Sequence, residues 1–300
     1  MMNEEPLLVT AKAPSILIVD SFALLFRGFF ALAISGNYMR NSKGLYTNGL
    51  YQFTRYLMDA VTKFEPSHVI CAFDMGSQTF RNELYPSYKA NRGEPPLELL
   101  PQFDKLWELV EAMGIPCVGK PGYEADDVMG SLAKQYSAQG MKVSILTGDG
   151  DTLQLIDENT QIILTKKGFG NYEVVHHENL FELRGLTHPH QVIDIKALMG
   201  DPSDNYPGVK GIGAKTALKL IQEHATIDGV LENLELLPKG VRAKIEAEMD
   251  MLNLSRKLAR IECEVDITCA LEDCRMFVDR QRVIDIFEEF EFRSLMKLIG

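Results

Sequence analysis

Three short apolar runs end in acids, and that repeat constrains the chain more than any other feature. Asp20 closes Ile16-Leu17-Ile18-Val19, Asp74 closes Val69-Ile70-Cys71-Ala72-Phe73, and Asp149 and Asp151 follow Val143-Ser144-Ile145-Leu146. Each run is brief, partly β-branched and followed by a break, the pattern of a strand buried on both faces. Strands of that kind form parallel sheets whose ligands bind outside their carboxyl ends. Acids delivered repeatedly to that edge describe a cation site. A fourth stretch, Tyr123-Glu124-Ala125-Asp126-Asp127, crowds three carboxylates at the start of a helical pattern over 128–136. Alone it reads as helix capping and dipole compensation; beside the three strand ends it reads as part of the same site.

A net charge of −11 argues at first against nucleic acid, which normally meets a basic surface. Nine of the acids, however, are the candidate ligands Asp20, Asp74, Glu124, Asp126, Asp127, Asp149, Asp151, Asp201 and Asp204, and without them the remainder stands at −2. Crowded carboxylates do not all stay ionised without cations, because like charges at short range push some pKa values up. The acidic total therefore reports metal demand and leaves a nucleic-acid partner open. Residues 1–14 carry Glu4 and Glu5 where a secretory leader needs positive charge, and they read as a flexible tail on a cytoplasmic protein. No stretch approaches the ~18 apolar residues of a membrane span. The five cysteines form no Cys-x-x-Cys pair, which speaks against structural zinc and suits a reducing compartment.

Residues 21–33 set one cation, Arg27, among apolar side chains; it either anchors a buried helix at the surface or holds a phosphate beside the acids. An amphipathic helix with Leu50, Phe53, Leu57 and Val61 on one stripe follows. Residues 80–92 place cations beside tyrosines, a pattern suited to a single strand but, taken alone, better read as an ordinary solvated loop, and Pro95, Pro96 and Pro101 then interrupt regular structure. Residues 161–165 and 172–175 read as a strand pair. Near 180–190 the strand signal gives way to helix, and a domain change is expected there. Asp201 and Asp204, three apart, share a face of a helical turn. Residues 208–216 miss a phosphate-binding P-loop by one residue, because Ala214 separates Gly213 from Lys215, and no buried strand feeds them. They read instead as a glycine turn between helices, whose N–H groups grip duplex phosphate without reading bases. Residues 232–300 read as amphipathic helix of mixed charge.

In this order, Asp20, Asp74, Tyr88-Lys89-Ala90-Asn91-Arg92, Gly122-Tyr123-Glu124-Ala125-Asp126-Asp127, Leu146-Thr147-Gly148-Asp149-Gly150-Asp151 and the run 199–213 resemble the bacterial 5′→3′ exonuclease and flap endonuclease family. That family includes the N-terminal nuclease domain of DNA polymerase I and free-standing homologues, and the likeness covers nearly the whole chain. It implies an α/β, PIN-like catalytic domain at 15–185 with a mainly parallel sheet and a helical arch near 78–105. A helical DNA-binding domain at 186–300, with a helix-three-turn-helix motif near 194–222, would follow. The first implied metal group is Asp20, Asp74, Glu124 and Asp126, with Asp127 close by; the second is Asp149, Asp151, Asp201 and Asp204. Two Mg²⁺ ions, replaceable by Mn²⁺, are the implied cofactors, with K⁺ on the carbonyls of the helix-three-turn-helix loop.

Lys89 and Arg92 are implied to act on the scissile phosphate, with Arg27, Arg81 and Tyr88 as further contacts to the strand. Gly208, Lys210, Gly211, Gly213, Lys215 and Thr216 are implied to hold the duplex. Gly150 departs from the many relatives that carry Lys there, which removes one cation from the DNA path. The implied substrates are DNA with 5′ flaps, 5′ overhangs or nicks, and RNA primers on DNA, cleaved by a monomer away from any membrane. Two other readings stay open: a non-catalytic binder of branched DNA, and a small-substrate phosphohydrolase, for which Asp20-Ser21-Phe22 lacks the Asp-x-Asp pair.

Overall fold

The computed structural model describes residues 14–33, 36, 38–275 and 279–298; apart from Pro14, the expected N-terminal tail lies outside them. Strand β1 (Ser15–Asp20) leads directly into helix α1 (Ser21–Ala33), and α2 (Asn48–Phe64) brings the chain back to β2 (His68–Ala72). The short α3 (Phe80–Leu84), α4 (Leu100–Ala112) and the two-residue β3 (Cys117–Val118) follow, then α5 (Ala125–Ala138), β4 (Lys142–Thr147), β5 (Thr160–Thr165) and β6 (Tyr172–Val175). The rest is helical: α6 (Leu180–Arg184), α7 (Gln191–Met199), α8 (Ala214–His224), α9 (Ile227–Glu232), α10 (Lys239–Ala247), α11 (Met249–Ala259) and α12 (Arg280–Glu289).

The sheet runs β3-β2-β1-β4-β5-β6, parallel except for the β5–β6 pair. Strand β1 is central, with Val19 level with Cys71 of β2 on one side and Leu146 of β4 on the other. Connections from β1 and β4 leave in opposite directions here, so the crevice expected at such a switch point opens above Asp20. Side chains alternate across the sheet with period two. Leu17, Val19, Val69 and Cys71 pack under α1, α2, α4 and α12, while Ile16, Ile18, Ile70, Val143 and Ile145 pack against Val128, Met129 and Leu132 of α5. Two-sided burial is why the strands are continuous apolar runs.

Helices α7, α8 and α9 close on a core of their own, with Leu198, Val209, Ile212, Leu220, Ile221 and Val230 at its centre. Residues 186–300 do not form one separate unit, however. Val283, Phe287, Phe290, Phe292 and Leu295 return to the core under α1 and α2, where β1 also packs. The segment between α3 and α4 holds little helix, because prolines 86, 95 and 96 deny continuous backbone donors. Turns over 86–92 dock on the loop after α7 instead: Lys89 N donates to Asp204 O, Asn91 Nδ2 to Pro202 O and Asn205 Nδ2 to Ser87 O.

Candidate metal centre

The parallel sheet delivers its strand-end acids to one cleft of about 400 Å³, lined by Asp20, Asp74, Lys89, Glu124, Asp126 and Asp149. Asp20 and Asp74 are fixed by backbone donors of neighbouring elements, and Glu124 by side chains of the arch segment. Asp20 Oδ1 accepts the Ala23 N–H at the start of α1, and Oδ2 accepts the Thr147 hydroxyl from the end of β4 at 2.8 Å. Thr147 Oγ1 in turn accepts Asp149 N, which ties the β1 and β4 ends together. Asp74 accepts Ala125 N at 2.9 Å, so β2 caps the first turn of α5, the turn that carries Asp126. Glu124 is the N-cap of α5, and its carboxylate receives Lys89 Nζ at 2.5 Å and the Tyr88 hydroxyl at 3.1 Å.

A second cluster adjoins the first. Among the described residues, Asp151, Asp201 and Asp204 each present one oxygen within 4.8 Å of the others. Asp149, assigned with this set on resemblance, lines the first cleft and also acts electrostatically on Asp151, so it stands between the two. Cations are built into the second cluster. Lys196, one turn earlier on α7, pairs with Asp151 at 2.7 Å and with Asp201, while Arg92 Nη2 lies 2.6 Å from Asp204 Oδ1. Lys89 adopts a left-handed conformation, φ 56°, where the arch segment turns over the cleft.

Burial and like charge raise acids in both clusters, and Asp201 is the exception. Burial lifts Asp20 to about 6 against bonds from Ala23 and Thr147, with the Asp74 and Asp149 charges adding to it. Burial and then the charges of Asp149 and Asp20 hold Asp126 well above the ordinary carboxylate range, and burial raises Asp74. Burial and Asp149 also lift Asp151 to about 6. At Asp201 burial pulls the same way, yet hydrogen bonds from Lys196 and Ser203 hold its carboxyl below the ordinary value. Hard carboxylate oxygens, forced together and partly starved of counter-charge, fit a hard divalent cation.

Four expected contacts have other roles. Asp127 is fully buried and takes both arms of the Arg81 guanidinium, at 2.7 and 2.8 Å, so its oxygens face away from the cleft. Arg81 itself is 2% exposed, its guanidinium turned to Asp127 and to the Leu258 and Arg260 carbonyls. Tyr88 is likewise buried, its ring stacked on Tyr206 and its hydroxyl bonded to Glu124 and Asp204. Gly208 is no duplex contact: it is buried with φ 63°, and a Cβ there would lie 2.2 Å from Gly200 N. Of the two readings of Arg27 its contacts favour anchoring, since it bonds to Gly168 O in the β5–β6 hairpin and lies over Tyr56.

Lys210, Gly211, Gly213 and Lys215 are exposed around the start of α8, with Thr216 half-buried, and Lys244 Nζ already occupies the Gly211 carbonyl. Sequence reading missed Lys196 and Thr147. The one available signal was a lysine on the short helix that precedes Asp201, five residues before it.

Comparison with known proteins identifies the family and the fold. Residues 15–183 match the family model described as 5′-3′ exonuclease, N-terminal resolvase-like domain, and residues 187–281 match 5′-3′ exonuclease, C-terminal SAM fold. A Bacillus subtilis (strain 168) protein named 5′-3′ exonuclease is 47% identical over 284 residues, covering 95% of each chain. DNA polymerase I of Chloroflexus aurantiacus is 39% identical over 291 residues, 95% of this chain but 30% of that protein. In fold, the chain superposes on T5 5′-exonuclease with bound zinc, TM-score 0.66 at 23% identity, covering 95% of this chain and 100% of that one.

Proposed function

The chain belongs to the 5′-3′ exonuclease family, and from that premise we propose that it is a structure-specific 5′ nuclease, a 5′→3′ exonuclease and flap endonuclease that hydrolyses DNA phosphodiesters. The observation that carries this reading is the cleft in which three strand ends and the start of α5 converge their carboxylates under Lys89 and Arg92. Asp20, Asp74, Glu124 and Asp126, with Asp149 between the clusters and Asp151, Asp201 and Asp204 beyond it, would hold two Mg²⁺ or Mn²⁺ ions. Bound there, such ions supply Lewis acidity toward a phosphoryl oxygen and lower the pKa of water.

The chain's own residues do the rest. Lys89 sets a positive charge over the scissile phosphate, and the half-exposed Arg92 guanidinium offers a fork to its neighbour. Both cations now lie on acids of the site, Lys89 on Glu124 and Arg92 on Asp204, and an entering phosphate would draw them off those carboxylates. Lys210, Lys215, Thr216 and the free N–H groups at the start of α8 grip the duplex backbone. K⁺ on the turn carbonyls would share them with Lys244. The substrates we infer are 5′ flaps, overhangs, nicks and RNA primers on DNA, met by a monomer in the cytoplasm during primer removal and repair. No described helix is long and apolar enough to cross a membrane.

Cleavage of a 5′-end-labelled single-flap DNA, with Mg²⁺ and with EDTA, beside a blunt duplex, tests the proposal. A discrete metal-dependent product near the junction is expected. Binding without cleavage in both Mg²⁺ and Mn²⁺ would make the protein a scaffold for branched DNA.

A further inference from the structure

We propose that Arg81 is a positioning residue for the metal-site carboxylates at the start of α5, acting through Asp127; the inference rests on the nuclease reading above. Four of the five guanidinium hydrogens of Arg81 make hydrogen bonds in a site 2% exposed. Nε donates to Leu258 O at 3.0 Å, Nη2 to Arg260 O at 2.7 Å, and Nη1 and Nη2 take the two oxygens of Asp127. The remaining Nη1 hydrogen is the one available to Glu124 Oε2 at 3.5 Å. Asp127 completes the node from its other side, accepting Glu124 N at 3.0 Å and Glu262 N at 2.8 Å. One planar pair therefore joins three chain segments: the base of the arch, the first turn of α5, and the strap that leaves α11.

The position of this node separates a positioning role from mere cohesion. Asp127 grips the backbone of Glu124 and is the residue after Asp126, so a shift of the pair moves both metal-site acids together. A buried ion pair is no efficient way to gain stability, since an apolar pair of the same volume often does as well. It does fix geometry, because a guanidinium fork meets a carboxylate in one orientation. Misplacement of a reacting group by about 1 Å costs on the order of 10²-fold in rate.

The test is Arg81→Lys, which keeps the charge and discards the fork, with Asp127→Asn as the partner variant. Three quantities are read in each: Ca²⁺ affinity of the DNA-free protein by calorimetry, kcat and KM on flap DNA, and duplex affinity in Ca²⁺. The expected result is Ca²⁺ binding and kcat each reduced by about 10-fold or more, with KM and duplex affinity within about 3-fold. Wild-type Ca²⁺ affinity and kcat beside a lowered Tm would overturn the proposal and leave the pair structural. A chain that does not fold in either variant would overturn it as well, since the pair would then be a condition of folding. If the wild-type protein cleaves no flap, the nuclease reading fails, while the Ca²⁺ comparison still decides the role of Arg81.

Discussion

Asp20, Asp74 and Asp126 sit on the ends of buried strands and the first turn of a packed helix, and among the described residues no ion pair reaches them. Asp151, Asp201 and Asp204 sit on turns after β4 and α7, and there Lys196 and Arg92 already neutralise them. The first set is held by backbone donors, Ala23 N and Ala125 N, and by the Thr147 hydroxyl, none of which carries a full charge. A cation held by Asp20, Asp74 and Asp126 would therefore relieve repulsion and meet an ammonium only at Glu124, where Lys89 sits, whereas one entering the second set would have to displace Lys196 from two acids at once. From that contrast the first set is expected to be the tighter metal site and the second the weaker.

The sharpest way to break the contrast is to neutralise one acid in each set. Asp126→Asn is expected to lower kcat on flap DNA by on the order of 10³-fold, with duplex affinity within about 3-fold, because ligand loss affects transition-state charge and not grip. Asp201→Asn should cost less, about 10-fold, since Lys196 remains on Asp151 and keeps that corner neutral. Equal losses in single-turnover assays would mean that the cations of the second cluster do not spare it.

Lys196→Met tests the same point from the opposite side. Without the ammonium, Asp151 and Asp201 face each other unpaired, and in EDTA the Tm should fall by a few degrees, the equivalent of about 1–2 kcal/mol for a partly buried pair. Divalent metal should restore more of that Tm in the variant than it adds to the wild type. Calorimetric scans with and without metal read both numbers.

Acidity distinguishes the first set again. Asp20 titrates at about 6 against an ordinary 3.8, so the folded metal-free protein keeps a proton that the unfolded chain releases. Its stabilising share is complete below pH 3.8, falls as pH rises, and is gone above about 6. Asp20→Asn has no such proton to lose. In EDTA its Tm relative to wild type should therefore climb between about pH 4 and pH 6 and then level off, by at most the equivalent of about 3 kcal/mol. A difference that stays flat across that interval would show that Asp20 is ionised throughout.

Much of this arrangement was legible in residue order, because strand ends leave a regular trace. Ile16-Leu17-Ile18-Val19 and Val143-Ser144-Ile145-Leu146 announce buried strands, and a parallel sheet aligns their ends whatever the intervening sequence. Asp127 and Arg81 were not legible as a pair. An aspartate in the first turn of a helix caps, ligates or pairs with equal ease, and only the approach of Leu258 and Arg260 to the same guanidinium decides among them. Lys196 stayed hidden because Asp151 comes to it from another part of the chain. Strand β3 is two residues long, too short for any periodicity, and the return of α12 to the first core depends on shape that a mixed-charge amphipathic pattern does not encode.

The smallest expected effect separates the residues that grip from those that react. Lys215 is exposed in the first turn of α8, beyond Gly213, and makes no ion pair among the described residues. If it neutralises one duplex phosphate, Lys215→Ala should weaken binding a few-fold for every sequence alike and lower the slope of log affinity against log salt by about 1. Asp126→Asn should leave that slope unchanged if its carboxylate serves a metal ion, since it then displaces no counterion of the duplex. Salt titrations by fluorescence anisotropy on two duplexes of unrelated sequence make the comparison. A loss confined to one sequence would place Lys215 on a base edge and overturn the backbone-grip role of this turn; an unchanged slope would remove Lys215 from the duplex altogether.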